Sequence, residues 1–224
     1  MATPMSGERS ALVLVAHADD ETLGAGGTIQ RLVASGWGVE VVILSDGIVS
    51  ARGGEQDNRP AARRACALLG IGEPRFLGVP DQRFDAEPMA DLANRVGALG
   101  LEPDLIVSHV DTDLNRDHRL TLEVAKIIGR PKRKPVGLLG CEVPATSAWN
   151  AVVFPADYFV PLTEEQLQTK ISAFACYENE MQPFPHPWSE RGLRLLAEYH
   201  GMQAGCGLAE AFHLMRGYPG RLPD

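Results

Sequence analysis

Residues 11–27 read ALVLVAHADDETLGAGG, an apolar run that ends in one histidine and three acids. An apolar run of this length between polar residues predicts a buried strand. The sequence therefore places His17, Asp19, Asp20 and Glu21 just beyond the carboxyl end of a core strand. Open α/β sheets bind their ligands at that end of their strands.

Apolar segments and helical segments alternate along the chain that follows. Strands are predicted at 11–16, 39–47, 74–79, 103–110 and 136–143. Helices are predicted at 28–36, 59–70, 88–100, 117–129, 163–181 and 189–200, with a capping box from Thr163 to Gln166. The alternation is typical of a doubly wound, mostly parallel α/β sheet with helices on both faces. The C-terminal part, which is rich in proline, is expected to be less regular.

The composition is typical of a globular, single-domain protein. The chain has 224 residues, 45% of them hydrophobic, and a formal net charge of −8, so we expect one domain over residues 1–224 with no nucleic-acid partner. The four cysteines form no CxxC pair, which indicates reduced thiols in a cytoplasmic protein. The first apolar run is too short for a signal peptide or a membrane span, so no membrane partner is expected.

His17 and Asp20 are three residues apart, close enough for both side chains to bind one metal ion where the strand turns into a helix. Imidazole together with carboxylate suits zinc or another first-row divalent ion. Asp19 is left over, and a carboxylate beside a metal-bound water is a candidate general base.

A second apolar run, within DLIVSHVDTDLNRDHR (104–119), supplies further candidate ligands. It is followed by His109, Asp111, Asp113, Asn115, Asp117 and His118. In a parallel sheet this loop and the first one emerge at the same edge. Two histidines and one carboxylate would leave coordination positions open for water and substrate, as a catalytic site requires.

Structural roles compete with this interpretation. A histidine at a strand end is often a hydrogen-bonded structural group, and paired aspartates often mark a helix N-terminus. Two such clusters at the ends of two buried strands favour a metal site. The glycines of 24–27 do not form a dinucleotide fingerprint, because HADDE separates them from the strand. We predict that they form a tight turn and allow close backbone approach near the metal.

AHADDETLGAGGT (16–28) resembles the signature of the PIG-L/LmbE-like deacetylases, which carries proline where Ala18 stands. DLNRDHR (113–119) is similar to the second metal motif of that family. PDLIVSH, KISAFACYENEM, PHPWS and the late AEAF near Arg216 also fit the family. The resemblance spans nearly the whole chain.

The resemblance implies a Rossmann-like three-layer fold and a zinc-dependent hydrolase that removes acetyl groups from N-acetylated sugars. His17, Asp20 and His118 would be the metal ligands, and Asp19 would be the general base for a metal-activated water. Zinc is the implied metal, with Fe(II) or another divalent transition metal as an alternative. The partner would be a small amino-sugar substrate, and a homo-oligomer is plausible.

Asn115 is where this chain departs from the family, many members of which have a histidine three residues before the third ligand. An amide can donate a hydrogen bond to an oxyanion but supplies no proton to a leaving group. Either Asp19 makes both proton transfers or another histidine takes part. His186 is the first candidate for that role, before His200 and His213.

The remaining assignments concern the surroundings of the metal. We predict that Asp113, Arg59 and His186 bind substrate, with Arg52, Arg63 or Arg64 as alternatives to Arg59. Asp117 would orient a metal-bound ring, or would cap a helix over 118–129. Trp149 would stack on a sugar face or lie buried in the core.

Three other functions remain open. Clustered aspartates also hold magnesium in phosphoester hydrolases, although two histidine ligands argue against that metal. The same mechanism would also act on another N-acyl amide or an ester. Finally, the fold could serve as a sugar- or metal-binding module without turnover.

Overall fold

The structure is a computed structural model and describes residues 9–50, 55–130, 134–149 and 151–217. The strands are β1 (Ser10–Val15), β2 (Gly38–Ser45), β3 (Ile48–Val49), β4 (Gln56–Asp57), β5 (Arg75–Val79), β6 (Leu105–Ser108), β7 (Gly137–Cys141), β8 (Tyr158–Pro161) and β9 (Ala209–Arg216). The helices are α1 (Asp20–Ala34), α2 (Arg59–Leu68), α3 (Met89–Gly97), α4 (Arg116–Ile128), α5 (Glu164–Phe174) and α6 (Glu190–Ala204), with a 3-10 turn at Phe84–Ala86.

Seven strands form the main sheet, in the order β5-β2-β1-β6-β7-β9-β8. The strands from β5 to β7 are parallel, whereas β9 runs antiparallel to β7 and β8 antiparallel to β9. This confirms the predicted mostly parallel α/β sheet. The chain winds outward from β1 to β5 and then crosses back to β6 on the other side of β1. The loops after β1 and β6 therefore diverge and leave a crevice between them.

Strand β1 is buried on both faces, which explains its continuous apolar sequence. Val13 and Val15 point into a core shared with α1, α2, α5 and α6. Leu12 and Leu14 point to the opposite side, into a core shared with α3 and α4. Alternate side chains of one strand thus serve two separate layers of helices.

Helix α1 starts earlier than predicted, at Asp20, so Gly24, Gly26 and Gly27 lie within its first turns. The predicted tight turn is therefore wrong. The glycines do allow neighbouring elements to approach closely, as the other half of that prediction expected: a Cβ at Gly24 would lie 2.5 Å from Cys141 Sγ on β7. A Cβ at Gly27 would lie 2.5 Å from a methyl carbon of Leu162. Close approach of neighbouring elements offsets the low helix propensity of glycine.

The C-terminal part is more regular than predicted. Strands β8 and β9 extend the sheet, and neither was predicted. The capping box from Thr163 to Gln166 is confirmed, but α5 ends at Phe174 rather than at 181. Within the described residues, no helix has the length and apolar character needed to cross a bilayer.

A buried ion pair connects α1 to the last strand. Glu210 of β9 accepts hydrogen bonds from the backbone N–H groups of Gly27 and Thr28, at 2.9 and 2.7 Å. Lys170 of α5 donates to Glu210 at 2.6 Å and to the carbonyl of Leu23 at 2.8 Å. Both charged groups are thus satisfied inside the protein, and α1 is fixed along its length.

Candidate metal centre

The candidate centre lies in the crevice at the carboxyl ends of β1 and β6. His17 follows β1, Asp20 is the first residue of α1, and His118 lies in the first turn of α4. The amino ends of two helices therefore meet at this point. Their partial positive charge favours negative charge in the crevice.

The geometry of three donor atoms fits a divalent metal ion. Asp20 Oδ2 lies 3.5 Å from His17 Nδ1 and 3.4 Å from His118 Nε2. Donor atoms of the three residues all lie within 4.8 Å of one another. Zinc bonds of 2.0–2.1 Å in a tetrahedron give edges of about 3.3–3.4 Å between ligand atoms. The predicted ligands are therefore brought together at distances that suit such an ion.

The second ring nitrogen of each histidine faces a carboxylate. His17 Nε2 lies 3.2 Å from Asp117 Oδ2 and 3.2 Å from Asp81 Oδ1. His118 Nδ1 lies 3.1 Å from Asp113 Oδ2, in an off-axis contact rather than an aligned hydrogen bond. Metal-binding histidines generally direct their other N–H at a carboxylate, which fixes the tautomer and the orientation of the ring.

His109 is a packing group rather than a ligand. It is fully buried, and its Nε2 accepts the backbone N–H of Ala16 at 3.0 Å, so that lone pair is occupied. Its ring stacks on His118 with centroids 4.0 Å apart. Burial, reinforced by the neighbouring His118, lowers the pKa of His109 to about 3. The ring is therefore neutral at physiological pH.

Charges in the crevice also suit a cation. Burial alone would raise the pKa of Asp20, but His118 and His109 hold it well below its usual value. Burial alone would lower the pKa of His17, but the hydrogen bonds to Asp117 and Asp20 raise it well above its usual value. A bound cation requires the neutral ring, so metal binding would release the proton of His17.

Asp19 has a strained backbone, with φ 128° and ψ −31°. Such a conformation costs a residue other than glycine roughly 1–3 kcal/mol. Neighbouring hydrogen bonds hold it: the N–H of Asp19 donates to Glu21 Oε2 at 3.0 Å. The carbonyl of Asp19 accepts from the N–H groups of Thr22 and Leu23, which starts α1.

The Asp19 carboxylate is available for proton transfer. It makes no hydrogen bond or ion pair with any residue in the described part of the chain, and the residue keeps 7% of its surface exposed. Burial, followed by repulsion from Asp20 and Glu180, raises the pKa of Asp19 well above its usual value. A divalent cation nearby would act in the opposite direction and favour the carboxylate.

Asn115 caps helix α4, since its Oδ1 accepts the N–H of Asp117 at 2.9 Å. Its Nδ2 has no hydrogen-bond partner among the described residues. The alternative that Asp117 caps the helix is therefore wrong. Asp117 instead contacts His17 and also accepts the N–H of Phe84 at 3.3 Å.

Asp113 differs from its predicted role in substrate binding. The residue is fully buried, and its Oδ2 accepts hydrogen bonds from Thr146 and Ser147, each at 3.0 Å. Oδ2 also contacts His118, and Oδ1 accepts the N–H of Asn115 at 2.8 Å. Because no part of Asp113 is accessible, it contacts the candidate ligand His118 from behind rather than facing a substrate.

Arg59 and His186 are not joined to the cluster by any contact among the described residues. The Arg59 guanidinium pairs with Asp57 on the surface, at 2.8 Å. His186 Nδ1 accepts the N–H of Trp188 at 3.0 Å, inside the proline-rich turn. Their assignment to substrate binding stays a prediction. Arg52, one of the alternatives, lies outside the described residues.

Two further histidines pair with carboxylates away from the candidate centre, and Trp149 lies at the surface. His200 pairs with Glu142 at 2.8 Å, and His213 pairs with Asp157 at 2.8 Å. Trp149 is 82% exposed, so the prediction of a buried core position is wrong.

Asp81, Glu180 and Tyr177 were not predicted. Asp81 follows β5 directly, at the same edge of the sheet as His17. Applying the strand-end rule to PRFLGVPD would have found it. Glu180 and Tyr177 come from the irregular segment after α5 and lie within KISAFACYENEM, which fits the family, but no role was assigned to either residue.

The fold and the site together define an α/β protein with a candidate divalent-metal centre at the switch point of its sheet. The family model described as "PIG-L: GlcNAc-PI de-N-acetylase" matches residues 12–128. The chain therefore belongs to the PIG-L family, as the motifs predicted.

Individual relatives agree with this assignment. A diacetylchitobiose deacetylase of Thermococcus kodakarensis is 24% identical over 235 residues, which cover 96% of this chain and 86% of the relative. The structure of an N,N'-diacetylchitobiose deacetylase from Pyrococcus horikoshii is similar with a TM-score of 0.70 and 20% identity, covering 95% of this chain and 85% of that one.

The same fold also occurs in a different enzyme. The 4-carboxy-2-hydroxymuconate hydratase of Pseudomonas putida is similar with a TM-score of 0.76 and 24% identity, covering 96% of this chain and 100% of that one. At such identities a structural likeness shows the fold alone, so the reaction must be argued from the site.

Proposed function

We propose that the chain is a metal-dependent N-deacetylase that acts on an N-acetylglucosamine-type sugar or glycoconjugate. The observation that carries the proposal is the carboxylate of Asp19, which has no hydrogen-bond or ion-pair partner among the described residues and belongs to the residue next to the candidate metal donor Asp20. A site that only binds a sugar or a metal has no use for such a base. Family membership and the two diacetylchitobiose deacetylases support the sugar substrate.

His17, Asp20 and His118 would hold the metal, which we propose is zinc, with Fe(II) or another divalent transition metal as the alternative. A divalent cation at such a site polarises a carbonyl oxygen and lowers the pKa of water toward ~7. Asp117, Asp81 and Asp113 keep the two imidazole rings oriented from behind.

Asp19 takes a proton from the attacking water and returns it to the leaving amine, with His186 as the alternative donor for the second transfer. Asp19 is favoured because no contact among the described residues joins His186 to the centre. Asn115 donates a hydrogen bond to the oxygen that becomes negative, through an Nδ2 that has no partner among the described residues. Its Oδ1 is already engaged in capping α4, which leaves the donor end of the amide free. The amino ends of α1 and α4 add favourable dipoles for that negative charge.

The test is acetate release by the zinc-loaded protein from N-acetylglucosamine and N,N'-diacetylchitobiose, with chelator-treated protein as the control. We expect acetate from at least one sugar, only in the metal-loaded sample. Tight sugar binding without acetate would overturn the proposal in favour of a binding module. Acetate release from simple N-acyl amides but not from sugars would overturn the substrate class.

Hydration of a carboxylated alkene, the reaction of the structurally similar hydratase, is less well supported by this site. In the described part of the chain, every ion-pair partner of Asp20, Asp81 and Asp117 is a histidine. These acids therefore have no described lysine or arginine partner, the kind of side chain that usually binds the carboxylates of such a substrate. The same protein sample assayed for loss of muconate-type absorbance distinguishes the two reactions.

A further inference from the structure

Glu21 is fully buried next to the candidate base and is not used by the mechanism above. Its Oε2 accepts the backbone N–H of Asp19 at 3.0 Å. Its Oε1 accepts the hydroxyls of Thr22 at 2.8 Å and Tyr177 at 2.5 Å. One carboxylate thus joins the backbone of the base to a tyrosine from beyond α5.

We propose that Glu21, anchored by Tyr177, is a positioning residue that holds Asp19 in its strained backbone conformation and so aims the base. The inference rests on the proposed function, in which Asp19 moves the proton. Glu21 and Tyr177 would thus affect turnover although neither of them binds the metal or contacts the substrate.

The need for such a device follows from the contacts of Asp19. Its carboxylate has no partner among the described residues, so side-chain contacts do not fix its direction. Its φ of 128° lies far from the regions that ordinary residues prefer, so the peptide would relax if it were released. The hydrogen bond from its N–H to Glu21 opposes that relaxation. The position of the carboxylate therefore depends on where Glu21 is held.

Tyr177 fixes the other end of Glu21. Burial, together with the adjacent Glu21, raises the pKa of Tyr177 well above its usual value, so the hydroxyl stays protonated and donates. The Tyr177 ring is fully buried and packs beside Phe174. The hydrogen bonds from Tyr177 and Thr22 therefore fix the orientation of the Glu21 carboxylate.

Direct participation of Glu21 in the reaction conflicts with its environment. All three of its hydrogen-bond donors belong to the protein, and no part of its surface is accessible. A substrate or a water molecule has no route to it, so Glu21 acts through Asp19.

The experiment compares Tyr177→Phe with Tyr158→Phe. The second variant is the matched control, because Tyr158 lies on β8 and its hydroxyl makes no hydrogen bond to a described residue. We expect Tyr177→Phe to lower kcat about tenfold, as for loss of one hydrogen bond to a charged group, with KM and zinc content within about twofold of wild type. Tyr158→Phe should match the wild type.

A readout without turnover accompanies the kinetics. In the metal-free protein, amide hydrogen exchange at Asp19 should become about tenfold faster in Tyr177→Phe and not in Tyr158→Phe. Thr22→Val should act in the same direction, and Thr22→Ser, which keeps the hydroxyl, should restore wild-type behaviour. This second pair keeps the test valid if Tyr177→Phe does not fold.

Unchanged Asp19 exchange in the folded Tyr177→Phe and Thr22→Val variants would overturn the inference. So would accelerated exchange with unchanged kcat, because the constraint would then have no effect on the base. A wild-type protein that releases no acetate refutes the proposed function instead, while the exchange measurement still decides whether Glu21 and Tyr177 constrain Asp19.

Discussion

Nε2 of His17 lies 3.2 Å from Oδ2 of Asp117, although one hundred positions separate the two residues in the sequence. Asp117 directly precedes His118, the third candidate ligand. The first turn of α4 therefore supplies one candidate metal-binding histidine and contacts the other. A substitution or displacement after β1 or at the start of α4 is therefore expected to move both imidazole rings, His17 and His118.

Asp117→Asn should weaken zinc binding about tenfold, the lower end of the range for carboxylates behind a metal-binding histidine. The loss is limited because Asp81 also faces His17. Titration of the metal-free protein with zinc measures it. Asp85→Asn is the control, since Asp85 is a more exposed acid that pairs with Arg116 on the surface. Equal zinc affinity in both variants would contradict the orienting role of Asp117.

His118→Ala should lower both zinc content and turnover, because the donor set loses one of its three members. Metal analysis of the purified protein and an acetate assay test this expectation. His213→Ala, on strand β9 next to the edge strand β8, is the matched control. Unchanged zinc content in His118→Ala would remove this residue from the metal-binding set.

Asp19→Asn should leave zinc content intact and reduce kcat by 10²-fold or more, since the amide has nearly the same shape but accepts no proton. The comparison uses zinc-loaded wild type and variant under identical conditions. Turnover within about threefold of wild type would show that another group moves the proton.

Asp19→Gly should be more stable than Asp19→Ala by about 1 kcal/mol in the free energy of unfolding, because glycine tolerates a positive φ. Both variants remove the buried carboxylate, so their difference isolates the backbone. Urea unfolding of the metal-free proteins measures it. If alanine proved equally stable, the strain at residue 19 would not exist.

Gly24→Ala should lower the free energy of unfolding, because overpacking costs about 1–3 kcal/mol and exceeds the helix-propensity gain of about 1 kcal/mol. The clash is with Cys141 Sγ. Gly72→Ala is the control, since a Cβ there meets nothing within 4 Å. Thermal unfolding of both variants decides between close packing and a helix that merely tolerates glycine.

Much of the fold was predictable, because strands buried on both faces carry unbroken apolar sequences. Strand β9 lacked that signal, since Glu210 and His213 interrupt its pattern, and β8 spans only Tyr158–Pro161. The start of α1 was missed because its glycines were interpreted as breakers of the helix. Glycine is required there because Cys141 on β7 and Leu162 just before α5 pack against the helix. These contacts are distant in sequence, so the local sequence does not reveal them.

The metal donors were predictable for a related reason: each follows the end of a core strand or begins the next helix. The supporting side chains were less so. Asp81 obeys the same strand-end rule, but the rule was applied to two strands only. Tyr177 reaches the site through packing of α5 against α1, which no spacing in the sequence encodes.

The hydrogen bonds from Gly27 and Thr28 to Glu210 mean that the position of the N-terminal signature depends on the last strand of the sheet. Helix α1, which opens with a metal donor, is held at its middle by the last strand and near its start by Tyr177. A fragment cut after residue 128 would keep every donor atom and lose both restraints. The signature region is therefore not expected to keep its conformation when it is transferred to another protein. Such a transfer would have to include Glu210 and Tyr177 as well.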